Sequence, residues 1–316
     1  MFEEKKVAVV VPCYNEELLV GRVIETMPDF VDRIYLVDDV STDRTVEVIQ
    51  RYVGQDPSRI GLIRHEINQG VGGAIATGYK AALAERIDVT VVMAGDAQMD
   101  PADLPAIVAP VARGECDYTK GNRLFTEDAW HIIPRVRYLG NSMISLLTKI
   151  ASGYWHVADS QSGYTAIGLR ALETVDWDQM YKRYGQPNDL LVRLNVHSFR
   201  VRDVPVKPVY GVGEKSGIKP LRMIPRLSWL LVRLFFYRLF HKYVIRDFHP
   251  LLFFYGIGLL LFPAGFLLGL YLVFMRIFSG PVAGTSALFA ALMMITGLQF
   301  LLFAMWFDMD YNKELK

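Results

Sequence analysis

Hydrophobic positions divide the chain into an N-terminal part with short alternating segments and a C-terminal part with two long apolar spans. The short β-type runs lie at Val7 to Val11, Ile34 to Val37, Ile60 to Arg64 and Val89 to Met93. Helical patterns follow each of these runs. Because alternating strands and helices favour right-handed crossovers, the pattern predicts an α/β domain with a mostly parallel sheet over residues 1–220.

The two apolar spans, at about 250–275 and 282–307, are each long enough to cross a bilayer. About 26 residues of helix measure about 39 Å, which exceeds the hydrocarbon core of about 30 Å. Arg276 is the only formally charged residue from Phe248 to Phe307, and Gly280-Pro281 marks a tight turn. We predict a transmembrane hairpin with a short cytosolic tail over residues 248–316; buried core helices are the alternative.

A basic segment precedes the spans. From Lys219 to Arg246 the chain carries seven Lys or Arg and no Asp or Glu, and further lysines follow the second span. This bias places both termini and the catalytic part in the cytoplasm. Apolar residues at i, i+3, i+4 spacing predict amphipathic juxtamembrane helices over 221–247 that lie on the membrane. Because the basic side chains from Arg226 to Arg246 do not share one face, we expect two short helices with a break near Phe235 to Tyr237. A single helix with snorkelling basic side chains is the alternative.

Several classes of function are excluded by the sequence. The two cysteines, Cys13 and Cys116, lie too far apart in the chain to suggest a disulfide framework. Ile75 replaces the third glycine of a dinucleotide fingerprint, and the P-loop pattern and zinc spacings are missing. The net charge is +1, and we expect no nucleic-acid partner. Gly70 and Gly72 either permit a tight turn into the next helix or contact a ligand directly.

Polar residues follow three of the predicted strands, at Asn15-Glu16, at Asp38-Asp39, and at Asp96 and Gln98. The carboxyl ends of parallel strands share one edge of the sheet, so these clusters should converge on one crevice. Asp96 and Gln98 offer the oxygen ligands that Mg²⁺ or Mn²⁺ uses together with substrate phosphates. A turn or helix-capping role is the alternative for Asp96.

Taken together, these motifs resemble the family 2 glycosyltransferases of the polyisoprenyl-phosphate type, such as dolichyl-phosphate mannose synthases. The resemblance covers residues 7 to about 217 and rests on Val9 to Glu17, Val37 to Asp39 with Ser41 to Asp43, Asn68 to Gly73, and Ala94 to Gln98. It implies a GT-A-like, Rossmann-related sheet domain. The chain departs from the family pattern at Ala94, where a D-x-D motif often begins, and at Val40, where glycine is usual.

The resemblance also implies site residues. Those expected to bind the nucleotide sugar are Pro12, Tyr14, Asn15, Glu16, Asp38, Asp39, Gly70, Gly72 and Asp96, with Asp96 and Gln98 also holding Mg²⁺ or Mn²⁺. Arg123 would face the acceptor, as would the segment from Asp159 to Tyr164, and Lys215 would lie in a loop that closes over the donor.

An attacking phosphate needs no strong general base, because a phosphate monoester loses its second proton at a pKa of about 6. If a base acts, Asp159 is the first candidate and Asp189 the second; either could equally be a cap or an arginine partner.

The expected function is inverting, metal-dependent transfer of one sugar. The donor would be a GDP- or UDP-sugar, and the acceptor a dolichyl or undecaprenyl phosphate at the cytoplasmic membrane face. One alternative is a glycosyltransferase for another membrane lipid or a polysaccharide. The other is a catalytically weak scaffold that binds nucleotide sugar. Membrane lipids are expected partners, and self-association into a homo-oligomer is left open.

Overall fold

The computed structural model describes residues 1–124, 133, 135–209 and 220–316. They form two compact units, Met1–Phe236 with Leu315–Lys316, and Tyr237–Glu314. The strands are β1 (Val7–Cys13), β2 (Arg33–Asp38), β3 (Ile60–Arg64), β4 (Val89–Val92), β5 (Tyr118–Asn122), β6 (Thr165–Gly168) and β7 (Val201–Pro205). The helices are α1 (Val20–Glu25), α2 (Thr45–Gln55), α3 (Val71–Ala84), α4 (Leu104–Ala112), α5 (Arg135–Ser152), α6 (Leu169–Thr174), α7 (Gln186–Val196), α8 (Pro220–Phe240), α9 (Leu251–Phe278) and α10 (Gly284–Tyr311).

The seven strands form one sheet in the order β3-β2-β1-β4-β6-β5-β7. β6 runs antiparallel to both of its neighbours, whereas the other adjacent strands are parallel. The prediction of a mostly parallel α/β sheet is confirmed. Because the chain adds β2 and β3 on one side of β1 and β4 on the other, the strand order reverses at β1, and ligands bind at such switch points.

The sheet is covered on both faces. Along β1 the side chains alternate, so that Val7, Val9 and Val11 join one core while Ala8 and Val10 join the other. Helices α1, α2 and α4 cover the first face, and α3, α6 and α7 cover the second. A buried sheet of this kind leaves its strand ends as the place where polar groups can gather.

The basic segment before the spans forms one α-helix, α8, which passes directly into a π-helical turn at His241–Arg246. The predicted break near Phe235 to Tyr237 is wrong, because the helix continues through these residues, where the sequence has no glycine or proline.

Two of the basic side chains expected at the lipid headgroups are instead buried. Arg238 is 0% exposed, and its Nη1 and Nη2 atoms bind the two carboxylate oxygens of Asp308 at 2.7 and 2.9 Å. Lys242, 2% exposed, donates to Asn312 Oδ1 at 2.7 Å. The buried partners therefore determine where the Arg238 and Lys242 side chains point, and the helical periodicity of the sequence alone does not predict it.

The predicted hairpin is confirmed as two apolar helices of 28 residues each, α9 and α10. Their most apolar windows have mean hydropathies of 2.3 and 2.1, so both are long and apolar enough to cross a membrane. The helices approach closely at small residues: Gly258 faces Leu301, and Gly297 faces the backbone of Phe262. Small residues at the contact are typical of helix pairs in membranes.

Candidate active site

The ends of β1, β2 and β4 meet at the switch point, as predicted. Asp39 N donates to Cys13 O at 2.9 Å, which joins the ends of β2 and β1. A Cβ built on Gly95, just beyond β4, would lie 3.3 Å from Pro12 O and 3.5 Å from Glu16 Cγ. The residues predicted from the three strand ends therefore form one contiguous edge.

Asn15 connects the loop after β1 to the segment after β2 by hydrogen bonds. Its backbone N–H donates to Ser41 Oγ at 3.0 Å, and its Oδ1 accepts from Thr42 N at 2.8 Å. Next to it, Glu16 N donates to Thr45 Oγ1 at 2.7 Å. Tyr14, next to these hydrogen-bonded residues, is 52% exposed, so the loop presents an aromatic ring on a fixed backbone.

Asp39 organises the glycine turn. Its Oδ1 accepts from Gln69 N at 2.8 Å and its Oδ2 from Gly70 N at 2.7 Å. His65 Nδ1 lies 2.7 Å from Asp39 Oδ1, while its Nε2 lies 2.9 Å from Thr77 Oγ1. Sequence reasoning missed His65, although it directly follows β3 and so fits the strand-end rule that identified Asp39.

The glycines of the turn allow close approach to another part of the chain. Gly70 has φ of +81°, and a Cβ there would lie 2.6 Å from Lys182 O. At Gly72 a Cβ would collide with Tyr181 O, and Gly73 N donates to Lys182 O at 3.1 Å. The glycines therefore permit a tight turn that packs against the segment before α7, and their contact with a ligand stays a prediction.

Each of the three strand-end clusters contains a non-glycine residue in the left-handed region. These are Asn15, Val40 and Ala97, with φ of +59°, +66° and +55°. Asn adopts this conformation with little cost, but a β-branched side chain does so only under strain. Val40 is thus a strained residue next to Asp39, and such strain concentrates at functional sites.

Asp96 and Gln98 lie in one turn, in which Gln98 N donates to Asp96 Oδ1 at 3.1 Å. Burial and, to a smaller extent, the negative charges of Asp96 and Asp43 raise the pKa of Glu16 to about 7. This edge thus concentrates negative charge that a divalent cation would relieve. Among residues 1–124, 133, 135–209 and 220–316, no cluster of three or more His, Cys, Asp or Glu could enclose a metal. The donors present therefore fit Mg²⁺ or Mn²⁺ that takes its remaining ligands from phosphate and water.

Arg123 and Asp159 form an ion pair at the end of β5. Arg123 Nε binds Asp159 Oδ2 at 2.8 Å and Nη2 binds Oδ1 at 3.2 Å; Arg123 is 25% exposed and Asp159 is 0% exposed. Burial raises the pKa of Asp159, but Arg123 and Lys120 outweigh it and hold that pKa below its ordinary value. Asp159 is therefore an anionic arginine partner. Lys215, expected to join this site, lies outside the described residues.

A buried lysine beneath this pair was missed by sequence reasoning. Lys120 is 0% exposed and donates to Ser162 O at 2.5 Å. Burial lowers its pKa to about 8, against the charges of Asp159 and Asp203 that raise it. The available signal was a lysine inside the short strand from Tyr118 to Asn122, where a charged residue needs partners.

Asp189 is also an arginine partner. Its Oδ2 accepts from Tyr181 N at 2.7 Å and its Oδ1 from Arg193 Nε at 3.0 Å. Burial raises its pKa, with Arg193 opposing. On the same helix, Asn188 Oδ1 accepts from Gln161 Nε2 at 2.8 Å. This bond connects the helix that carries Asp189 to the segment that carries Asp159.

A cleft of about 320 Å³ opens beside the Arg123 pair. Its lining includes Leu124 and Ala158, which adjoin Arg123 and Asp159 in sequence, together with Leu146 and Lys149 of α5. The cleft thus combines apolar surface with a cation. Such a lining suits a ligand that has both an anionic and an apolar part.

The family model described as Glycosyl transferase family 2 matches residues 8–175. The UDP-N-acetylglucosamine–dolichyl-phosphate N-acetylglucosaminyltransferase of Methanococcus voltae is 28% identical over 66% of this chain and 87% of its own. The undecaprenyl-phosphate mannosyltransferase of Micrococcus luteus is 28% identical over 64% of this chain and 82% of its own. The undecaprenyl-phosphate 4-deoxy-4-formamido-L-arabinose transferase of Proteus mirabilis is 25% identical over 93% of this chain and 85% of its own.

Among solved structures, the chain is similar to glucosyl-3-phosphoglycerate synthase of Mycobacterium tuberculosis in complex with Mn²⁺, UDP and glucosyl-3-phosphoglycerate. The TM-score is 0.52, with 21% identity over 74% of this chain and 80% of that one. At this identity the likeness shows the fold alone, which is GT-A-like.

Proposed function

Because this chain belongs to glycosyl transferase family 2, we propose that it transfers one sugar from a nucleotide sugar to a polyisoprenyl phosphate. The transfer is metal-dependent and inverting, and it takes place at the cytoplasmic face of the membrane. Relatives whose names specify a dolichyl or undecaprenyl phosphate acceptor support the acceptor class. The two apolar helices and the basic residues before them support the location.

The acceptor assignment rests on the guanidinium of Arg123, which Asp159 holds in place next to Leu124 and Ala158 of the cleft lining. A planar guanidinium recognises phosphate with paired N–H donors, and a partner that holds its plane makes the recognition more selective. Asp159 supplies that partner from a fully buried position. Leu124 and Leu146 continue the cleft with the apolar surface that an isoprenoid chain requires.

On the donor side, the residues proposed to hold the nucleotide sugar are those at the ends of β1, β2 and β4, with Tyr14 against the base. Asp96 and Gln98 would hold Mg²⁺ or Mn²⁺, which neutralises the charge that develops on the diphosphate leaving group. Lys215 is proposed to add a cation from the loop that closes over the donor.

The reaction balances without an added proton carrier. An oxygen of the acceptor phosphate attacks the anomeric carbon from the face opposite the leaving group, while the bond from that carbon to the nucleoside diphosphate breaks. The diphosphate leaves with the bonding electrons, and the anomeric configuration inverts. Since the acceptor is already dianionic near neutral pH, we assign Asp159 the role of positioning Arg123. Asp189 correspondingly holds the segment before α7 against the glycine turn, through its hydrogen bond from Tyr181 N.

A donor and acceptor screen tests this function. Membranes containing the protein are incubated with radiolabelled UDP- or GDP-sugars and a long-chain polyisoprenyl phosphate, and label is counted in the organic phase. We expect one donor to give a lipid-soluble product, and Asp96→Ala membranes to give none above background. Label that stays in the aqueous phase with every donor tested contradicts the proposal.

A further inference from the structure

Lys120 and Asp203 add two further charges to the Arg123–Asp159 pair. They occupy paired positions on the neighbouring strands β5 and β7, so their side chains lie on the same face of the sheet. Lys120 is fully buried. Asp159 and Asp203 attract its ammonium group, and Arg123 repels it. These four side chains therefore form one charge cluster, next to the cleft that would take the acceptor.

The two added residues also hold the ends of the segment between Ala158 and Ser162. Lys120 Nζ donates to Ser162 O at 2.5 Å, and Asp203 Oδ2 accepts from Ala158 N at 2.7 Å. Asp203 Oδ2 accepts a second bond from Asn122 Nδ2 at 2.8 Å. Its Oδ1 is buried and has no hydrogen-bond partner among the residues that the structure describes. The carboxylate thus makes its bonds through one oxygen, and the amide oxygen of an asparagine can make the same bonds.

Without Lys120 the charge cluster would repel an anion. Arg123 supplies one positive charge, whereas Asp159 and Asp203 supply two negative charges. Asp159 stays ionised because Arg123 and Lys120 hold its pKa below the ordinary value. Burial raises the pKa of Asp203 only to about 6 and lowers that of Lys120 to about 8. Near pH 7 Lys120 therefore adds the second positive charge, and the cluster is neutral.

We propose that Lys120 is a positioning residue for the acceptor that acts through Arg123: its buried charge offsets one carboxylate, so that the guanidinium attracts the acceptor phosphate. The inference rests on the proposed function, because it takes Arg123 as the group that binds this phosphate. Charges in a poorly solvated site interact more strongly than charges in water. A buried ammonium group can therefore act on a ligand without touching it.

Charge compensation separates the charge of Lys120 from its hydrogen bond to Ser162. Lys120→Met removes both. Adding Asp203→Asn to this variant removes one negative charge and makes the cluster neutral again, but it does not restore the lost bond. The asparagine keeps the bonds that the Asp203 carboxylate accepts. Replacing Asp159 would also release the guanidinium of Arg123, so Asp203 is the residue that tests charge alone.

The probe is geranyl phosphate, with geraniol as its uncharged counterpart. Binding to the full chain in a nonionic detergent is measured by calorimetry at pH 7.5, without nucleotide sugar. We expect Lys120→Met to bind geranyl phosphate about 10- to 100-fold more weakly than the wild type, and the double variant to recover most of this loss. Binding of geraniol should not change. The matched control is Lys80→Met, which removes a surface lysine that pairs with Asp178; it should bind both probes as the wild type does.

An unchanged affinity of Lys120→Met for geranyl phosphate would overturn the proposal. A double variant that binds as weakly as the single one would overturn it as well, because the lost hydrogen bond would then be the cause. If Lys120→Met does not fold, Asp203→Asn alone supplies the test: it should bind geranyl phosphate at least as tightly as the wild type, and weaker binding refutes the charge role.

Two results concern the proposed function instead. Wild-type protein that binds geranyl phosphate no better than geraniol would contradict the acceptor assignment to Arg123, and this proposal with it. Phosphate binding that follows the expected charge dependence, in a protein that transfers no sugar, would contradict the proposed function alone.

Discussion

Asp159→Asn tests whether the buried carboxylate acts by holding Arg123. Asp159 accepts two bonds from that guanidinium, at 2.8 and 3.2 Å. Asparagine keeps the size of the side chain but replaces one acceptor oxygen with an NH₂ group, which faces a donor. Lys120, buried nearby, also loses a counter-charge. We expect Arg123 to lose its fixed orientation, and with it the acceptor phosphate to bind less well.

The magnitude follows from the burial of the pair. Removing one partner of a fully buried ion pair costs about 3–5 kcal/mol. Asp159 is fully buried, but Arg123 is 25% exposed, so water can solvate part of the guanidinium and we expect about 2–3 kcal/mol. When the whole of this energy serves to orient Arg123 toward the acceptor, it corresponds to a loss of about 30- to 160-fold in kcat/KM for the acceptor, at about 1.36 kcal/mol per factor of ten.

The assay is steady-state transfer by purified protein in nanodiscs, with each substrate varied in turn and donor affinity measured by calorimetry. Donor affinity should stay unchanged. The matched control is Asp117→Asn, because Asp117 also pairs with arginines but directly precedes β5, whereas Arg123 follows it. If Asp159 acted as a general base, Asp159→Asn would instead lower kcat by about 10²–10⁴-fold. Acceptor affinity would not change, and the pH profile of kcat would be altered. That result, or an equal loss in the control, would refute the positioning role.

Three further outcomes follow from the structure. Asp96→Asn should abolish Mn²⁺-dependent binding of UDP, measured by electron paramagnetic resonance of Mn²⁺, whereas Asp100→Asn, which alters only a helix cap, should leave it intact. Val40→Gly should raise the unfolding free energy by about 0.5–1 kcal/mol, measured by thermal unfolding, because it removes left-handed strain of about 1–2 kcal/mol at some cost in glycine entropy. Lys120→Met should remove one pH-dependent contribution to stability: burial lowers the Lys120 pKa from 10.5 to about 8, so at this group the unfolded chain binds more protons between these values, and the wild type gains stability with pH relative to the variant, by up to about 3 kcal/mol. A difference in melting temperature between the wild type and Lys120→Met that stays constant across this window would contradict that assignment, because the buried thiols of Cys13 and Cys116 contribute equally to both proteins.

The strand-end residues could be predicted because their placement depends on few properties of the chain. Buried parallel strands are apolar throughout, so the first polar residue after each run marks its carboxyl end. Topology then brings these ends together, whatever the details of packing. This reasoning correctly joined Glu16, Asp39 and Asp96, and applied to β3 it would also have found His65.

The partners of buried charges could not be predicted in the same way. Arg238 and Asp308 are 70 residues apart, and the sequence pattern around Arg238 is the same whether the arginine faces lipid headgroups or a buried carboxylate. Lys120 poses the same difficulty, because its neighbours Asp159 and Asp203 come from distant segments. Local periodicity specifies which residues share a face, but tertiary contacts decide where that face points.

Helix α5 illustrates this limit most clearly. Its exposed stripe of Leu139, Met143, Leu146 and Leu147 is a regular helical pattern that would ordinarily be assigned to the core. The structure buries the opposite side because Ser145 and Thr148 find hydrogen-bond partners there. Only those long-range bonds distinguish an inward stripe from an outward one, and single-sequence reasoning has no access to them.

Transfer of a single sugar to a polyisoprenyl phosphate can be measured through the stoichiometry and mass of the products. Purified protein is incubated with the nucleotide sugar selected by the screen and a polyisoprenyl phosphate of defined length. The molecular mass of the lipid product is then determined by mass spectrometry, and the released nucleotide is quantified. We expect one sugar to be added to the intact lipid monophosphate for each nucleoside diphosphate released. Release of nucleoside monophosphate, addition of several sugars to one lipid, or nucleotide release without a lipid product would contradict it.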